Sequence, residues 1–231
     1  MSIKGCLFDF DGTLFFNSEL HKVSISRIFV KYYNAPAPDY PTMTNQFFGR
    51  PNADVFRSYV DPNATDEEVK YFDALKEQDF RNLCLERKDE LHLVEGATEL
   101  LDYLKDNNIP LCMATGAPIS NVNFYREQFG IDRWFGDGKL LYADGSFPGK
   151  PAPDIYIKAA RQIGLDPSEC IVFEDATSGI IAARDAGCGG VVAVYDERFE
   201  LPDSTKAMVD SIHHDLKDWK KILSGYGLSV K

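Results

Sequence analysis

Five short apolar runs, each bounded by turn residues, limit this chain to one class of architecture. They are Ile3 to Phe10, Ile109 to Thr115, Lys139 to Ala143, Cys170 to Glu174 and Gly190 to Tyr195. Runs of this length without polar alternation predict strands buried on both faces. Between them lie helical periods. Ala97, Leu100, Leu101 and Leu104 share a face before Asn107-Asn108, and Ile180, Ile181, Ala183 and Ala186 do so before Gly187. Strands alternating with helices predict an α/β fold, a parallel sheet covered on both sides.

Residues 17–93 break that rhythm. The stretch is rich in charge and aromatics and shows no strand pattern. Thr65 and Glu68 predict a capping box opening a helix whose apolar stripe is Val69, Phe72, Leu75, Phe80 and Leu83. Asn34-Ala35-Pro36-Ala37-Pro38 and Asp61-Pro62-Asn63 divide the stretch further. It follows the first strand and returns at Val94-Glu95-Gly96, so it reads as a helical insertion at 17–93 in a core made of 1–16 and 94–231.

Composition narrows the function. With 25 Lys and Arg against 36 Asp and Glu, the net charge of -11 disfavours nucleic acid and anionic membrane surfaces as partners. No uncharged run reaches the roughly 18 residues of a membrane helix. The N-terminus runs into a predicted strand without the apolar segment and cleavage signal of a secretory leader. Cys6, Cys112 and Cys170 sit inside apolar runs, and five cysteines cannot all pair. Reduced structural thiols in a cytoplasmic protein are expected. An anionic small substrate is compatible with this charge only if a local device, a metal, a cation or aimed N–H groups, holds it.

The chemistry-bearing residues fall at strand tips. The first run ends Asp9-Phe10-Asp11-Gly12-Thr13-Leu14; alternation along a strand would turn Asp9 and Asp11 the same way. Like charges so close need a cation or a proton between them, and oxygen ligands suit Mg²⁺. A solvated acidic turn explains the pair equally well in isolation. Ala114-Thr115-Gly116 offers a hydroxyl and an approachable N–H, or simply a helix cap. Lys150 precedes Pro151-Ala152-Pro153-Asp154 and alone reads as a surface lysine. Glu174 and Asp175 end an otherwise apolar strand, where acids need partners. All four elements occur in order at the carboxyl ends of strands, where open α/β sheets bind ligands.

Together they resemble the four signature motifs of the haloacid dehalogenase superfamily, over essentially the whole chain. Asp9-x-Asp11-Gly12-Thr13-Leu14 is similar to the first motif, Thr115 to the second, Lys150 to the third and Glu174-Asp175 to the fourth. The insertion after the first motif resembles the helical cap of the subfamily containing β-phosphoglucomutase and many small phosphatases. The resemblance implies a Rossmann-like parallel-sheet core with an inserted small helical cap. It further implies an aspartyl-phosphate mechanism: Asp9 as nucleophile, Asp11 as general acid and base, and Thr115, Gly116 and Lys150 on the phosphoryl oxygens. Mg²⁺ is implied on Asp9, the Asp11 carbonyl and Asp175, with Glu174 a direct or outlying ligand.

The implied activity is a Mg²⁺-dependent phosphatase acting on a small phosphorylated metabolite of sugar-phosphate type, in a monomer or weak homo-oligomer. Asp11 argues against a dehalogenase, which lacks that residue. A β-phosphoglucomutase-type mutase is the alternative, but the mutase has a Ser-Lys-Asn run where this chain has Ala117-Pro118-Ile119. A non-catalytic phospho-ligand binder is a third reading, disfavoured by the presence of Asp9, Asp11, Lys150 and Asp175. In the cap, Gly49-Arg50-Pro51-Asn52 resembles a substrate-specificity loop, and His21 stands where the mutase has an aligning histidine. A solvated arginine and a structural histidine are the plain alternatives for those two.

Overall fold

The computed structural model describes residues 2–39, 52–136 and 138–228. It divides into two compact units, Met1–Phe16 with Leu93–Lys231, and Asn17–His92. The first unit holds a six-stranded sheet in the order β3-β2-β1-β4-β5-β6. The strands are β1 (Gly5–Phe8), β2 (Leu111–Ala114), β3 (Leu140–Leu141), β4 (Cys170–Glu174), β5 (Gly190–Val194) and β6 (Ser211–His213). Every pairing is parallel. The five predicted strands are present, although β1, β2 and β3 are shorter than their apolar runs and β5 stops one residue early. The sixth strand, β6, escaped the sequence reading because Ser-Ile-His is brief, half-exposed and lies at the sheet edge.

Parallel pairing aligns side chains across strands, so each sheet face is a ladder of neighbouring residues. One face carries Leu7, Cys112, Val172, Val191 and Ala193. Ile155, Tyr156, Ala159 and Ala160 of the helix Asp154–Gln162 join the same core, with Ile180, Ala182 and Ala183 of the helix Thr177–Asp185. The opposite face carries Phe8 and Phe173, stacked with ring centroids 4.6 Å apart, and Phe135 packs against Phe8 at 6.2 Å. All five cysteines are buried and unbridged.

The regular structure described in the second unit is all helical, with helices Ser18–Tyr33, Asn52–Tyr59 and Asp66–Glu86 joined by turns. The predicted capping box at Thr65 and Glu68 is formed in both directions. Phe29, Phe56 and Phe72 make its aromatic core together with Ile25, Ile28, Val55 and Val69. Among the described residues no helix is long and apolar enough to cross a membrane.

The stack of Phe173 on Phe8 sits at the end of β1 and one residue before the end of β4, the strands flanking the sheet's centre. Phe173→Ala is expected to lower unfolding stability by about 3–5 kcal/mol, since a fully buried ring leaves a cavity between paired strands. Urea denaturation of the two proteins measures the difference.

Candidate active site

Because β1 and β4 run parallel with Phe8 opposite Phe173, the next residues, Asp9 and Glu174, emerge side by side. The Asp9 N–H continues the ladder to the Phe173 carbonyl at 3.0 Å. Two buried carboxylates in that arrangement require a counter-charge. Lys150, from the loop ahead of the helix Asp154–Gln162, supplies it. Its Nζ donates to Asp9 Oδ1 and to Glu174 Oε1, each at 2.6 Å, with both partners buried. Burial opposes the charge on Lys150, but Asp9 and Glu174 outweigh it and raise its pKa.

Glu174 is saturated. Its Oε1 also accepts from Tyr156 Oη at 2.9 Å, and its Oε2 accepts the backbone N–H groups of Asp175 and Ala176 at 2.8 and 2.9 Å. A carboxylate has about four lone-pair sites, and four donors occupy them. The approach is close: a Cβ at Gly179 would lie 1.6 Å from Glu174 Oε1, so the first turn of the helix Thr177–Asp185 must have glycine there. Gly12 has a similar task. Its φ of +84° favours glycine, and a Cβ there would lie 1.9 Å from Asp175 Oδ2.

Asp11 reaches the site by a turn and not by strand alternation, because β1 ends at Phe8. The Phe10 carbonyl accepts the N–H groups of Thr13, Leu14 and Phe15, and Gly12 N–H donates to the Phe15 carbonyl. This loop presents the Asp11 side chain to β2, where Thr115 Oγ1 donates to Asp11 Oδ2 at 3.3 Å and accepts the Ala117 N–H at 3.0 Å. Tyr125 Oη donates to Asp11 Oδ1. Thr13 Oγ1 donates to Asp175 Oδ1 at 3.4 Å. Gly116 is exposed, and a Cβ on it would meet nothing within 4 Å.

Asp9, Glu174 and Asp175 each offer an oxygen within 4.8 Å of the others, a grouping able to hold a metal ion. Its electrostatics fit a dication. Burial, reinforced by Glu174 and Asp11 against the pull of Lys150, pushes Asp9 up to about 8. Burial with the Glu174 and Asp9 charges holds Asp175 well above the usual carboxylate range. One ammonium is thus too little charge for these acids.

The sequence-predicted Asp9, Asp11, Thr115, Lys150, Glu174 and Asp175 are therefore brought together at the carboxyl end of the sheet, with Gly116 following Thr115. Arg50 lies outside the described residues. His21 belongs to the helical unit, where its ring stacks on Phe80 at 3.8 Å and its Nδ1 lies 2.8 Å from Lys76 Nζ. Lys76 is buried and also donates to Glu77 at 2.7 Å. Burial raises the Glu77 pKa, but Lys76 and His21 overcome it and bring it below its ordinary value. Tyr125 and Tyr156 were missed by sequence reasoning. A tyrosine on the apolar face of a helix needs a hydrogen-bond partner for its hydroxyl, and that was the available signal.

The haloacid dehalogenase-like hydrolase family model matches residues 3–187. The chain belongs to that family. As a haloacid dehalogenase-like hydrolase it is 31% identical to (DL)-glycerol-3-phosphatase 2 of Arabidopsis thaliana over 239 residues, covering 95% of this chain and 90% of the relative. It is 30% identical to validoxylamine A 7'-phosphate phosphatase of Streptomyces hygroscopicus subsp. limoneus, covering 84% of this chain and 87% of that one. The crystal structure of a HAD hydrolase, family IA, variant 3, from Entamoeba histolytica HM-1:IMSS aligns with TM-score 0.85 at 27% identity, covering 97% of this chain and 100% of that one. The hydrolase therefore has the parallel-sheet core and helical insertion implied by its motifs.

The raised carboxyl groups set a pH dependence. Native Asp9 and Asp175 retain protons that the unfolded chain has lost above about pH 4, so the native state binds more protons and its stability falls as pH rises. For Asp9 this loss accumulates up to about 8 and then levels off. Each such proton contributes a slope of up to about 1.4 kcal/mol per pH unit. In excess chelator the melting temperature is expected to fall from about pH 5.5 to about pH 8.5, and added Mg²⁺ to raise it more at the upper pH. Thermal melts at the two pH values, with and without Mg²⁺, measure this.

Proposed function

We propose that this hydrolase releases inorganic phosphate from a small phosphorylated metabolite of sugar-phosphate type through an aspartyl-phosphate intermediate. The observation that carries the reading is the Lys150 bridge between Asp9 and Glu174 at the tips of β1 and β4. It holds a buried carboxylate oxygen in place at the carboxyl end of the sheet. Similarity to two phosphatases across most of the chain supports the same substrate class.

In this reading an Asp9 oxygen attacks phosphorus in line while the bond to the leaving oxygen breaks, dividing a difficult hydrolysis into two easier steps. Asp11 gives a proton to the leaving oxygen, then takes one from the water that attacks the aspartyl phosphate. Lys150 uses two donors on Asp9 and Glu174 and has a third to direct at a phosphoryl oxygen. Thr115 Oγ1, turned from Asp11, and the Gly116 N–H hold the other phosphoryl oxygens against the charge that develops there. Asp9, the Asp11 carbonyl and Asp175 would hold Mg²⁺, with Glu174 outside them because its lone pairs are taken. When bound, the ion supplies neutralising charge for the nucleophile and the phosphate.

Asp9→Asn is expected to reduce phosphate release to background with the fold intact, and Asp11→Asn to lower it roughly 10²–10⁴-fold. The assay is phosphate release from a panel of phosphorylated metabolites with Mg²⁺. β-Glucose 1-phosphate belongs in the panel, tested also for formation of the 6-phosphate. Near-normal release by Asp9→Asn would exclude covalent catalysis at Asp9. Rapid isomerisation primed by glucose 1,6-bisphosphate, with little phosphate released, would identify a mutase instead. Release is the expected result because Ala117-Pro118-Ile119 carries no cation for a second phosphate. The metal has its own test: activity is expected to vanish in chelator and return with Mg²⁺. Asp175→Ala should raise the Mg²⁺ concentration needed for half activity more than Glu174→Ala does.

A further inference from the structure

We propose that Tyr125 is a positioning residue for Asp11, fixing that carboxylate so that it addresses the leaving-group oxygen once Thr115 turns to the phosphoryl group. The inference rests on the phosphatase reading above and adds to it a residue outside the four motifs.

Both oxygens of Asp11 are held by hydroxyl groups, Oδ1 by Tyr125 and Oδ2 by Thr115 at 3.3 Å. The two holders differ in freedom. Thr115 Oγ1 sits on a short side chain at the end of β2, and rotation about one bond redirects it. Substrate binding asks it to do so, because the same hydroxyl serves the phosphoryl oxygens. Tyr125 is fully buried in the helix Ile119–Phe129, and its ring is boxed by aromatic neighbours. Phe10 stacks on it with centroids 4.4 Å apart and planes at 27°. Phe15 meets it edge-on at 6.2 Å and 76°, and Phe129 lies at 6.3 Å. A ring so confined can place its hydroxyl at only one point, on Asp11.

Phe10 closes the argument, because it is the residue between Asp9 and Asp11. The ring that packs on Tyr125 belongs to the loop that carries the acid, so loop and anchor are one packed body. A hydrogen bond from Tyr125 thus survives the departure of Thr115 and keeps the Asp11 carboxylate from swinging away. In the first step the O–H bond of Asp11 breaks as the leaving oxygen gains its proton and the P–O bond opens. In the second, water gives a proton to Asp11 as its oxygen bonds to phosphorus and the bond to Asp9 breaks. Both transfers need Asp11 at a fixed place, and misplacement of a reacting group by about 1 Å costs on the order of 10²-fold.

The test is Tyr125→Phe, which keeps the ring and its packing, compared on two leaving groups. With an alkyl phosphate, whose leaving oxygen needs a proton, kcat is expected to fall on the order of 10-fold to 10²-fold with KM within about twofold of wild type. With p-nitrophenyl phosphate, whose leaving group needs no proton, the first turnover seen as p-nitrophenolate release is expected to stay within about twofold, while later turnovers slow. Phe129→Leu, which loosens the box and keeps the hydroxyl, should shift the same ratio in the same direction by less. An equal loss on both leaving groups in the first turnover, no loss on either, or a rise in KM alone would overturn the role of Tyr125. Wild-type protein that turns over neither ester would overturn the phosphatase reading, and this inference with it.

Discussion

One buried ammonium organises the catalytic end of the sheet. Parallel pairing of β1 and β4 places Asp9 and Glu174 next to each other, and no arrangement of those strands can separate them. Lys150 makes the juxtaposition tolerable, and Tyr156 with two backbone N–H groups completes the set around Glu174. The consequence is a chain of constraint. Glu174 ties down the turn at Asp175 and Ala176, that turn fixes the start of the next helix, and Gly179 is required where the helix passes the carboxylate. A charge-assisted network of this kind is strong when every member is satisfied and costly when one is removed.

What could be read from sequence was what local pattern encodes. Apolar runs that give way to Asp9, Thr115 and Glu174 mark buried strands, and the occurrence of all four elements in order at strand ends, not any one alone, points to function. The capping box at Thr65 was equally legible, because its two hydrogen bonds link residues three apart. Asp11 owes its position to the Phe10 carbonyl, which gathers three N–H groups into a turn, and not to the strand alternation that the sequence suggests. Tyr125 and Tyr156 were hidden because their partners are 114 and 18 residues away in the chain. Nothing nearby distinguishes such a tyrosine from one more ring in a core. The edge strand β6 was hidden for another reason, having neither length nor an apolar run.

The helical unit shows the same physics in a second setting. Lys76 and Glu77 are buried neighbours, and His21 and Asn52 complete their hydrogen bonding from two other helices. As with Lys150, the lysine is held by its partners and its ammonium faces an aromatic ring, here Phe80 at 5.8 Å and for Lys150 the Tyr156 ring at 5.1 Å. A polar knot in a small aromatic core limits how the three described helices can be assembled, because their register must bring all four groups together.

Gly116 is the exception to this density of constraint. Gly12 and Gly179 are pinned by a carboxylate that leaves no room for a side chain. Gly116 is exposed, is absent from the positive-φ positions and has open space where its Cβ would stand. An L-residue other than proline, which lacks the N–H, can therefore stand there without a clash at its Cβ. A library of substitutions at this single position would offer protein engineers new side chains beside the Thr115 hydroxyl. Beside a tightly packed cluster of acids, the hydrolase thus has a position whose backbone accepts a new side chain.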